Sequence, residues 1–184
     1  IADYDMVQKL IPNPHLINGY KYDIRMFVIF HYKYGILLLK EGYFTYSNKP
    51  YDQNSSDMFS KIGAIHLQPN FFKVNKLPTR GNEYPYYHII YPIIEKCLKN
   101  VFKCYDGPIF TPTEITNRKI MIYGIDMNIF RNKYEQIYPI LIEMNSSPSL
   151  LFKEAERKNK LIYEMLVRLN SYPDHLDKFA VLKQ

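Results

Sequence analysis

The sequence predicts an α+β fold, in which helices pack on a mainly antiparallel sheet. Short segments rich in aromatic and β-branched residues follow one another with turn signals between them, as antiparallel strands do. Two longer segments place apolar residues three and four positions apart, which is the spacing of an amphipathic helix. The chain has 184 residues and a hydrophobic fraction of 47%, so we expect residues 1–184 to form one domain with its own core.

The first part of the chain is predicted to be extended. Residues 3–11 form a short stretch that stops at Pro12-Asn13-Pro14, because proline disfavours both helix and ladder pairing. Asn18-Gly19 is a strong turn dipeptide. Residues 20–30 follow it and have the composition of a strand. This pattern predicts a turn that leads directly into a long strand.

Two further strands are expected at residues 35–39 and 43–47, with Lys40-Glu41-Gly42 as the turn between them. Three strands in succession predict an antiparallel meander. Residues 48–85 are then polar and interrupted by proline and glycine. So long a connection is uncommon in a compact domain unless it is functional or mobile.

The second half of the chain is predicted to contain two helices and a strand pair. Residues 119–130 and 138–145 are apolar, and we expect them to pair. A second helix is expected at 153–170, with a charged, solvated side. In the first helix the apolar residues recur at helical spacing and include both Ile89 and Val101; the full set is Ile89, Ile90, Ile93, Ile94, Cys97, Leu98, Val101 and Phe102.

The two cysteines of the chain, Cys97 and Cys104, lie seven residues apart on one face of the first predicted helix. We expect them to be core or half-buried thiols. Two cysteines in a chain of this length do not form a disulfide framework, and this favours a reducing compartment. The sequence therefore predicts a cytoplasmic location.

Composition argues against several classes of protein. No apolar run approaches the roughly 18 residues of a membrane span, so we expect no membrane partner. The net charge is +6, but the lysines are scattered, whereas nucleic-acid binders more often carry a dense basic stripe. We therefore expect no nucleic-acid partner, although a weak preference for acidic partners fits the charge. The chain also lacks a P-loop, a dinucleotide-binding glycine motif and a serine elbow.

Three charged residues, Lys21, Asp23 and Arg25, alternate along the first long strand. Alternate side chains of a strand share one face, so these three point away from Tyr22 and Ile24. Burying several charges is costly unless they are paired or bind a ligand. Two interpretations remain open: a solvated outer face with a local ion pair, or a polar channel that binds an anionic ligand.

An oxygen-rich set of side chains is predicted near the end of the strand pair. Asp126 lies among apolar residues of one strand, and Glu143 and Asn145 share a face of the other. If the two strands pair, these residues converge at one end of the sheet. Such a set suits Mg²⁺, a hard cation that prefers oxygen ligands and retains waters. A plain hairpin with a solvated end is the alternative.

Several motifs, taken in order, resemble the tubulin–tyrosine ligase-like family of ATP-grasp ligases. The last of them, at residues 142–150, is similar to the family's Leu-Glu-Val-Asn-Thr-Ser-Pro-Ser-Leu. Together they cover roughly residues 5–152, and they are Val7-Gln8-Lys9-Leu10-Ile11, residues 16–25, Lys40-Glu41-Gly42, Tyr123-Gly124-Ile125-Asp126 and residues 142–150.

The resemblance implies the C-terminal lobe of an ATP- and Mg²⁺-dependent carboxylate–amine ligase. ATP would phosphorylate a glutamate carboxylate, and the amine of tyrosine, glutamate or glycine would attack the acyl phosphate. The implied partners are a free amino acid and the acidic C-terminal tail of tubulin or another glutamate-rich protein. The implied location is cytoplasmic, in association with microtubules or cilia.

The resemblance also implies roles for individual residues. The catalytic residues would line the phosphate and acceptor channel, and they are Lys21, Asp23 and Arg25. The nucleotide would be held by an adenine hinge and two further side chains, namely Gln8, Lys9, Leu10 and Ile11 with Lys21 and Asp126. The metal ligands would be Asp126, Glu143 and Asn145.

Three features depart from the family pattern, and the first two motivate an alternative function. Where the family carries an arginine after Lys-Glu-Gly, this chain has Thr45, and the family's His-Leu-Thr-Asn is His66-Leu67-Gln68-Pro69 here. His66 and Gln68 are weak candidate residues at that segment. The family's upstream lobe, which supplies one phosphate-binding lysine, is expected to be absent from residues 1–184, so the fragment alone would be inactive. The alternative is a degenerate, non-catalytic module that binds nucleotide or tubulin.

Overall fold

An antiparallel sheet forms the centre of the computed structural model, which describes residues 12–63, 69–104, 120–146 and 179–183. The strands are β1 (Leu16–Ile17), β2 (Tyr20–His31), β3 (Gly35–Leu39), β4 (Tyr43–Tyr46), β5 (Ile120–Arg131), β6 (Ile137–Asn145) and β7 (Phe179–Lys183). The α-helices are α1 (Pro69–Val74) and α2 (Tyr87–Lys103), and single 3₁₀ turns lie at Met58–Ser60 and Gly81–Glu83. This architecture confirms the predicted α+β class.

The long strand β2 lies at the middle of the sheet. It pairs with β5 on one edge and with both β3 and β4 on the other, and the sheet order is β6-β5-β2-β3-β7. β5 and β6 pair antiparallel, as their composition predicted. β2 therefore has hydrogen-bonded neighbours on both sides over most of its length.

The turn between β1 and β2 has the predicted position. Asn18 and Gly19 both have positive φ angles, 49° and 81°, and Ile17 pairs with Tyr20 across them. Two such residues in succession match a two-residue hairpin turn, where asparagine and glycine are the favoured residues. The Asn18 side-chain amide also donates to the carbonyl oxygen of Lys76 at 2.8 Å. The turn thus anchors the segment that follows α1.

The predicted meander is wrong, because β3 and β4 are not neighbours of each other. Both pair with the same edge of β2: Leu38 lies opposite Val28, and Tyr46 lies opposite Tyr22. Residues 40–42 are an interruption between two collinear strands, not a reversal. A Cβ at Gly42 would lie 2.7 Å from the Tyr87 hydroxyl and 2.8 Å from Ile24 Cγ2. The glycine that suggested a turn is required here by close packing.

The main core lies between α2 and one face of the sheet. Ile90, Ile94, Leu98 and Phe102 are buried at four-residue spacing, against Tyr22, Ile24, Met26, Val28 and Phe30 of β2. Full burial of one such side chain contributes about 1.5–3 kcal/mol. The helix was predicted correctly, but its buried stripe is narrower than expected.

Some side chains predicted to face inward from α2 are exposed. Ile89 is 50% exposed and Val101 42%, because they lie at the margins of the stripe that contacts the sheet. Cys97 is half-buried, as expected. Cys104 is exposed, and its predicted burial is wrong. It forms the C-cap of α2, where the helix ends and its side chain no longer contacts the core.

A second apolar cluster occupies the opposite face of the sheet. It consists of Phe27, Ile29, Leu37, Leu39, Tyr43 and Phe179, all of them buried. It begins at Phe27, directly beyond Arg25 on the same face of β2. The charged part of that face is therefore restricted to the first half of the strand.

The long polar connection after β4 contains more structure than its composition predicted. The turn at Met58–Ser60 is capped by Asp57, which accepts from the Phe59 backbone N–H at 2.9 Å and pairs with Lys49 Nζ at 2.6 Å. Beyond residues 64–68, which are not described, the helix α1 follows. The predicted elements at 3–11 and 153–170 also lie outside the described residues. Within the four described ranges, no helix combines the length and apolar character needed to cross a membrane.

Candidate functional site

The charged side chains of β2 share one face of the sheet, as predicted. Lys21, Asp23 and Arg25 are partly buried, whereas Tyr22 and Ile24, which alternate with them, are fully buried on the other face. The alternation arises because successive side chains of a strand point to opposite sides. We call the surface built around these charges the polar face, and it includes the residues paired with them on β4, β5 and β6.

Arg25 and Asp126 form the central ion pair of the polar face. They lie directly opposite each other on β2 and β5, so their side chains meet across the two strands. Arg25 Nε donates to Asp126 Oδ1, and Nη2 donates to Oδ2 at 2.6 Å. The two side chains are only 17% and 20% exposed. A paired, bidentate geometry is what allows opposite charges to be retained at such depth.

Asp23 is held by two neighbours and is strongly desolvated. Lys21 Nζ lies 3.5 Å from its carboxylate, and the Asn128 side-chain amide donates to Oδ1 at 2.7 Å. Burial raises the pKa of Asp23, Lys21 opposes that shift, and the nearby Asp126 carboxylate adds to it. The local ion pair of the solvated interpretation is present. However, the Lys21 and Asp23 side chains are only 12% and 24% exposed, so this is not an ordinary wet surface.

The predicted metal ligands lie side by side on β5 and the last residues of β6. Glu143 lies opposite Asp126, and Asn145 lies opposite Gly124, so the three polar side chains share a face. The Asn145 amide donates to Glu143 Oε1 at 2.8 Å. The pairing is irregular just beyond Asp126: the next pair joins Met127 to Leu141, which leaves Ile142 as an extra residue. Such bulges redirect side chains, and here Glu143 is exposed beside the half-buried Asp126.

Two carboxylates and an amide fit a magnesium ion that retains waters and contacts phosphate oxygens. The fit is partial, because Asp126 already binds Arg25 through both oxygens. In the described ranges, no three histidine, cysteine or acidic residues cluster closely enough to enclose a metal by themselves. The residues present therefore suit a site completed by a phosphate ligand better than a closed structural metal site.

Two residues that the sequence did not single out as ligands lie beside Asp23. Thr45 of β4 is opposite Asp23, on the polar face. Gly63 lies in the segment that follows β4, and a Cβ there would overlap Asp23 Oδ2 and lie 3.5 Å from Thr45 Oγ1. Glycine is thus the residue that lets this segment approach the carboxylate. Nothing in the local sequence around Gly63 indicates this contact.

The remaining predicted site residues lie outside the described residues. They are the hinge Gln8, Lys9, Leu10 and Ile11, and the weak candidates His66 and Gln68. Their assignment stays a prediction.

A separate groove of about 570 Å³ lies away from the polar face. It is formed by β1, α1 and the segment around Tyr84 and Tyr86. Its cations are Lys73 and Lys76, and its carboxylate, Glu83, accepts from the Thr79 and Arg80 backbone N–H groups. It contains none of the paired charges described above, so the polar face is the better candidate site.

The arrangement of the polar face suits the binding of a polyanion together with a divalent cation. Lysine and arginine alternate with carboxylates, and further carboxylate and amide oxygens lie beside them on β6.

The model of the tubulin-tyrosine ligase family matches residues 4–173, which is most of the chain. A search of the curated proteins found no match.

Proposed function

The chain belongs to the tubulin-tyrosine ligase family, and from that premise we propose that it is part of an ATP- and Mg²⁺-dependent carboxylate–amine ligase. Its acceptor would be a protein glutamate, on the acidic tail of tubulin or on another glutamate-rich protein. The amino acid added would be tyrosine, glutamate or glycine. The proposed location is the cytoplasm, in association with microtubules or cilia.

The proposed reaction has two steps. A carboxylate oxygen of the acceptor attacks the γ-phosphorus of ATP, the bond to the bridging oxygen breaks, and ADP leaves. The neutral amine of the amino acid then attacks the acyl carbon, inorganic phosphate leaves with the electron pair of the C–O bond, and the nitrogen loses one proton to the phosphate or to water. Both steps concentrate negative charge on phosphate oxygens, so positioning and electrostatic stabilisation are the main contributions required of the protein.

The polar face has the groups that such a reaction requires. Lys21 and Arg25 would offset negative charge on phosphate oxygens, and their carboxylate partners Asp23 and Asp126 fix their positions. Asp126, Glu143 and Asn145 would hold Mg²⁺, which when bound supplies further charge neutralisation to phosphate oxygens. Asp23 lies 3.5 Å from Lys21 Nζ and can orient its ammonium group.

One observation carries the proposal: Arg25, Asp126 and Glu143 form a continuous row across β2, β5 and β6. Partial burial of a guanidinium and a carboxylate costs desolvation free energy, which their mutual attraction offsets only in part. Such a charged row is therefore expected where it binds a ligand. The row therefore supports binding of an anion and a cation side by side.

Replacing Glu143 by glutamine tests this proposal in the natural protein that contains the chain. The amide keeps the shape but removes the charge of a proposed metal ligand, so we expect ATP-dependent ligation to fall at least about 100-fold. Because Glu143 is exposed, we expect the melting temperature to change little. Mass spectrometry of tubulin incubated with ATP, Mg²⁺ and each amino acid measures the product.

Glu135→Gln is the matched control, since Glu135 is also exposed but lies in the turn before β6, outside the polar face. It should leave ligation unchanged. Full activity in Glu143→Gln would contradict the proposed metal site.

A degenerate binding module is the second candidate function. Thr45 supports it, because it lies on the polar face at the position where the resemblance leads one to expect an arginine. Titration with Mg·ATP combined with the amino-acid transfer assay separates the two functions. Ligand at 100 times its dissociation constant would stabilise the folded state by about 2.7 kcal/mol in either case. Stabilisation without any amino-acid transfer would favour the binding module.

A further inference from the structure

A short segment extends the sheet beyond β4. Tyr43 and Arg80 form an isolated antiparallel bridge, and the flanking hydrogen bonds run from Phe44 N to Thr79 O at 3.0 Å and from Gly81 N to Gly42 O at 2.9 Å. Residues 79–81 thus act as one more strand position on the outer edge of β4. This adds a fifth member to the row across the sheet, whose order is Glu143, Asp126, Arg25, Tyr43 and Arg80.

Arg80 shares the polar face with Arg25. Paired residues of antiparallel strands point to the same side, and Tyr43 is opposite both of these arginines. Tyr43 contacts Phe27 on that side with ring centroids 5.8 Å apart. Burial and the Glu41 carboxylate raise the pKa of the Tyr43 hydroxyl, and the charge of Arg80 partly opposes that rise. Arg80 and Arg25 are two strand positions apart, which corresponds to about 10 Å between their backbones.

Arg80 differs from the other cations of the polar face in its partners. Arg25 is paired with Asp126, and Lys21 is paired with Asp23. Among the ion pairs formed within the described ranges, none includes Arg80. Arg80 is half-buried, and Thr45, two residues from Tyr43 on the same face of β4, has a short side chain. A partly desolvated guanidinium without a carboxylate partner is a strong binder of phosphate oxygens.

We infer that Arg80 binds a phosphate group of the nucleotide at the edge of the polar face formed by residues 79–81, on the far side of Tyr43 from Arg25. This rests on the proposed function, since it names a further ligand-binding residue at the same site. Because Asp126 already offsets the positive charge of Arg25, Arg80 provides additional positive charge to the phosphate oxygens. Its ligand is a phosphate oxyanion, which a guanidinium can bind through two parallel hydrogen bonds.

Arg80→Gln in the natural protein tests the inference by calorimetric titration with ATP and with AMP in the presence of Mg²⁺. Loss of a charge-assisted contact should weaken ATP binding by about 10- to 100-fold and leave AMP binding unchanged. Arg131→Gln is the matched control, because Arg131 lies at the end of β5 and pairs with Glu135. It should change neither affinity.

The outcomes separate this inference from the proposed function. A wild-type protein that binds no ATP would contradict both. Normal ATP binding in wild type together with an unchanged ATP-to-AMP ratio in Arg80→Gln would contradict the inference alone. An equal loss of both nucleotides with a lower melting temperature would show that Arg80 is only structural. Adding Thr45→Arg to Arg80→Gln returns a guanidinium to the polar face and should restore at least about tenfold in ATP affinity; no recovery would count against the inference.

Discussion

The two faces of β2 are built from the same twelve residues and serve different purposes. One face, with Tyr22, Ile24 and Met26, is buried in the main core, to which α2 also contributes. The other begins with Lys21, Asp23 and Arg25 and becomes apolar only at Phe27. The burial of the apolar face anchors β2 in the sheet, and the charged face of the same strand is paired and partly exposed.

The two faces also differ in what they contribute to the free energy of folding. The apolar face gains free energy by removing side chains from water. The charged face gains little, because the desolvation of each ion offsets its attraction to the partner. We therefore expect changes on the apolar face to alter stability first, and changes on the polar face to alter binding and ligation first.

The largest expected effect on stability comes from Ile24→Ala on the apolar face. Ile24 is fully buried between α2 and Gly42, so its truncation should lower the free energy of unfolding by about 2–5 kcal/mol, through lost burial and an unfilled cavity. Urea denaturation measures it. The control is Ile89→Ala on the exposed margin of α2, which should cost less than about 1 kcal/mol. Equal costs at the two sites would contradict the distinction between the faces.

A smaller effect is expected when the central ion pair of the polar face is broken. Arg25→Met leaves Asp126 partly buried without its guanidinium, which should cost about 2–3 kcal/mol, below the range for fully buried pairs. The double variant Arg25→Met/Asp126→Leu removes both charges and should return to within about 1 kcal/mol of wild type. Ligation should be lost in both variants.

The measurement is a double-mutant cycle by urea denaturation, with product formation assayed in parallel. If the losses of unfolding free energy in Arg25→Met and in Asp126→Leu simply add up to the loss in the double variant, the two residues are not coupled. Retained ligation in the double variant would remove Arg25 and Asp126 from the proposed site.

The smallest expected effect is a pH dependence that originates at the margin of the apolar face. His15 bonds to the Tyr22 hydroxyl at 2.8 Å, and burial, with a lesser contribution from Arg131, lowers the pKa of His15 to about 4. In the unfolded chain His15 takes up a proton near pH 6.5, whereas in the folded protein it does so only near pH 4. The contribution of neutral His15 to the free energy of unfolding is therefore complete above about pH 6.5 and is lost as the pH falls toward 4. Because His15 is only partly buried, we expect a loss on the order of 1 kcal/mol.

Urea midpoints at pH 7.5 and pH 5 measure this loss in wild type and in His15→Gln. The variant should show a smaller decline than wild type on acidification. His88→Gln, at an exposed position, should keep the wild-type decline. An identical decline in wild type and His15→Gln would exclude His15 as its source.

Much of the candidate site could be predicted from local sequence. Alternation alone placed Lys21, Asp23 and Arg25 together, and the position of Glu143 relative to Asn145 placed those two on one face. The two faces of a strand repeat every two residues, so a correct strand prediction settles which side chains share a side. The helix α2 was found in the same way, from a repeat of three and four residues.

The parts that sequence missed depend on residues far apart in the chain. Lys40-Glu41-Gly42 has the composition of a turn, yet packing of Tyr87 and Ile24 against Gly42 makes it an interruption between collinear strands. Gly63 and Arg80 have no local pattern that marks them as neighbours of Asp23 and Tyr43.

The sequence by itself determined the α+β class, the long strand with one charged face, and the oxygen-rich strand pair, because these follow from short-range periodicity. Only the tertiary structure decided that β3 and β4 share one edge of β2, that Asp126 faces both Arg25 and Glu143, and that Arg80 joins their row. Strand order and register are selected by the packing of distant segments, and local propensity carries no information about which segments will meet.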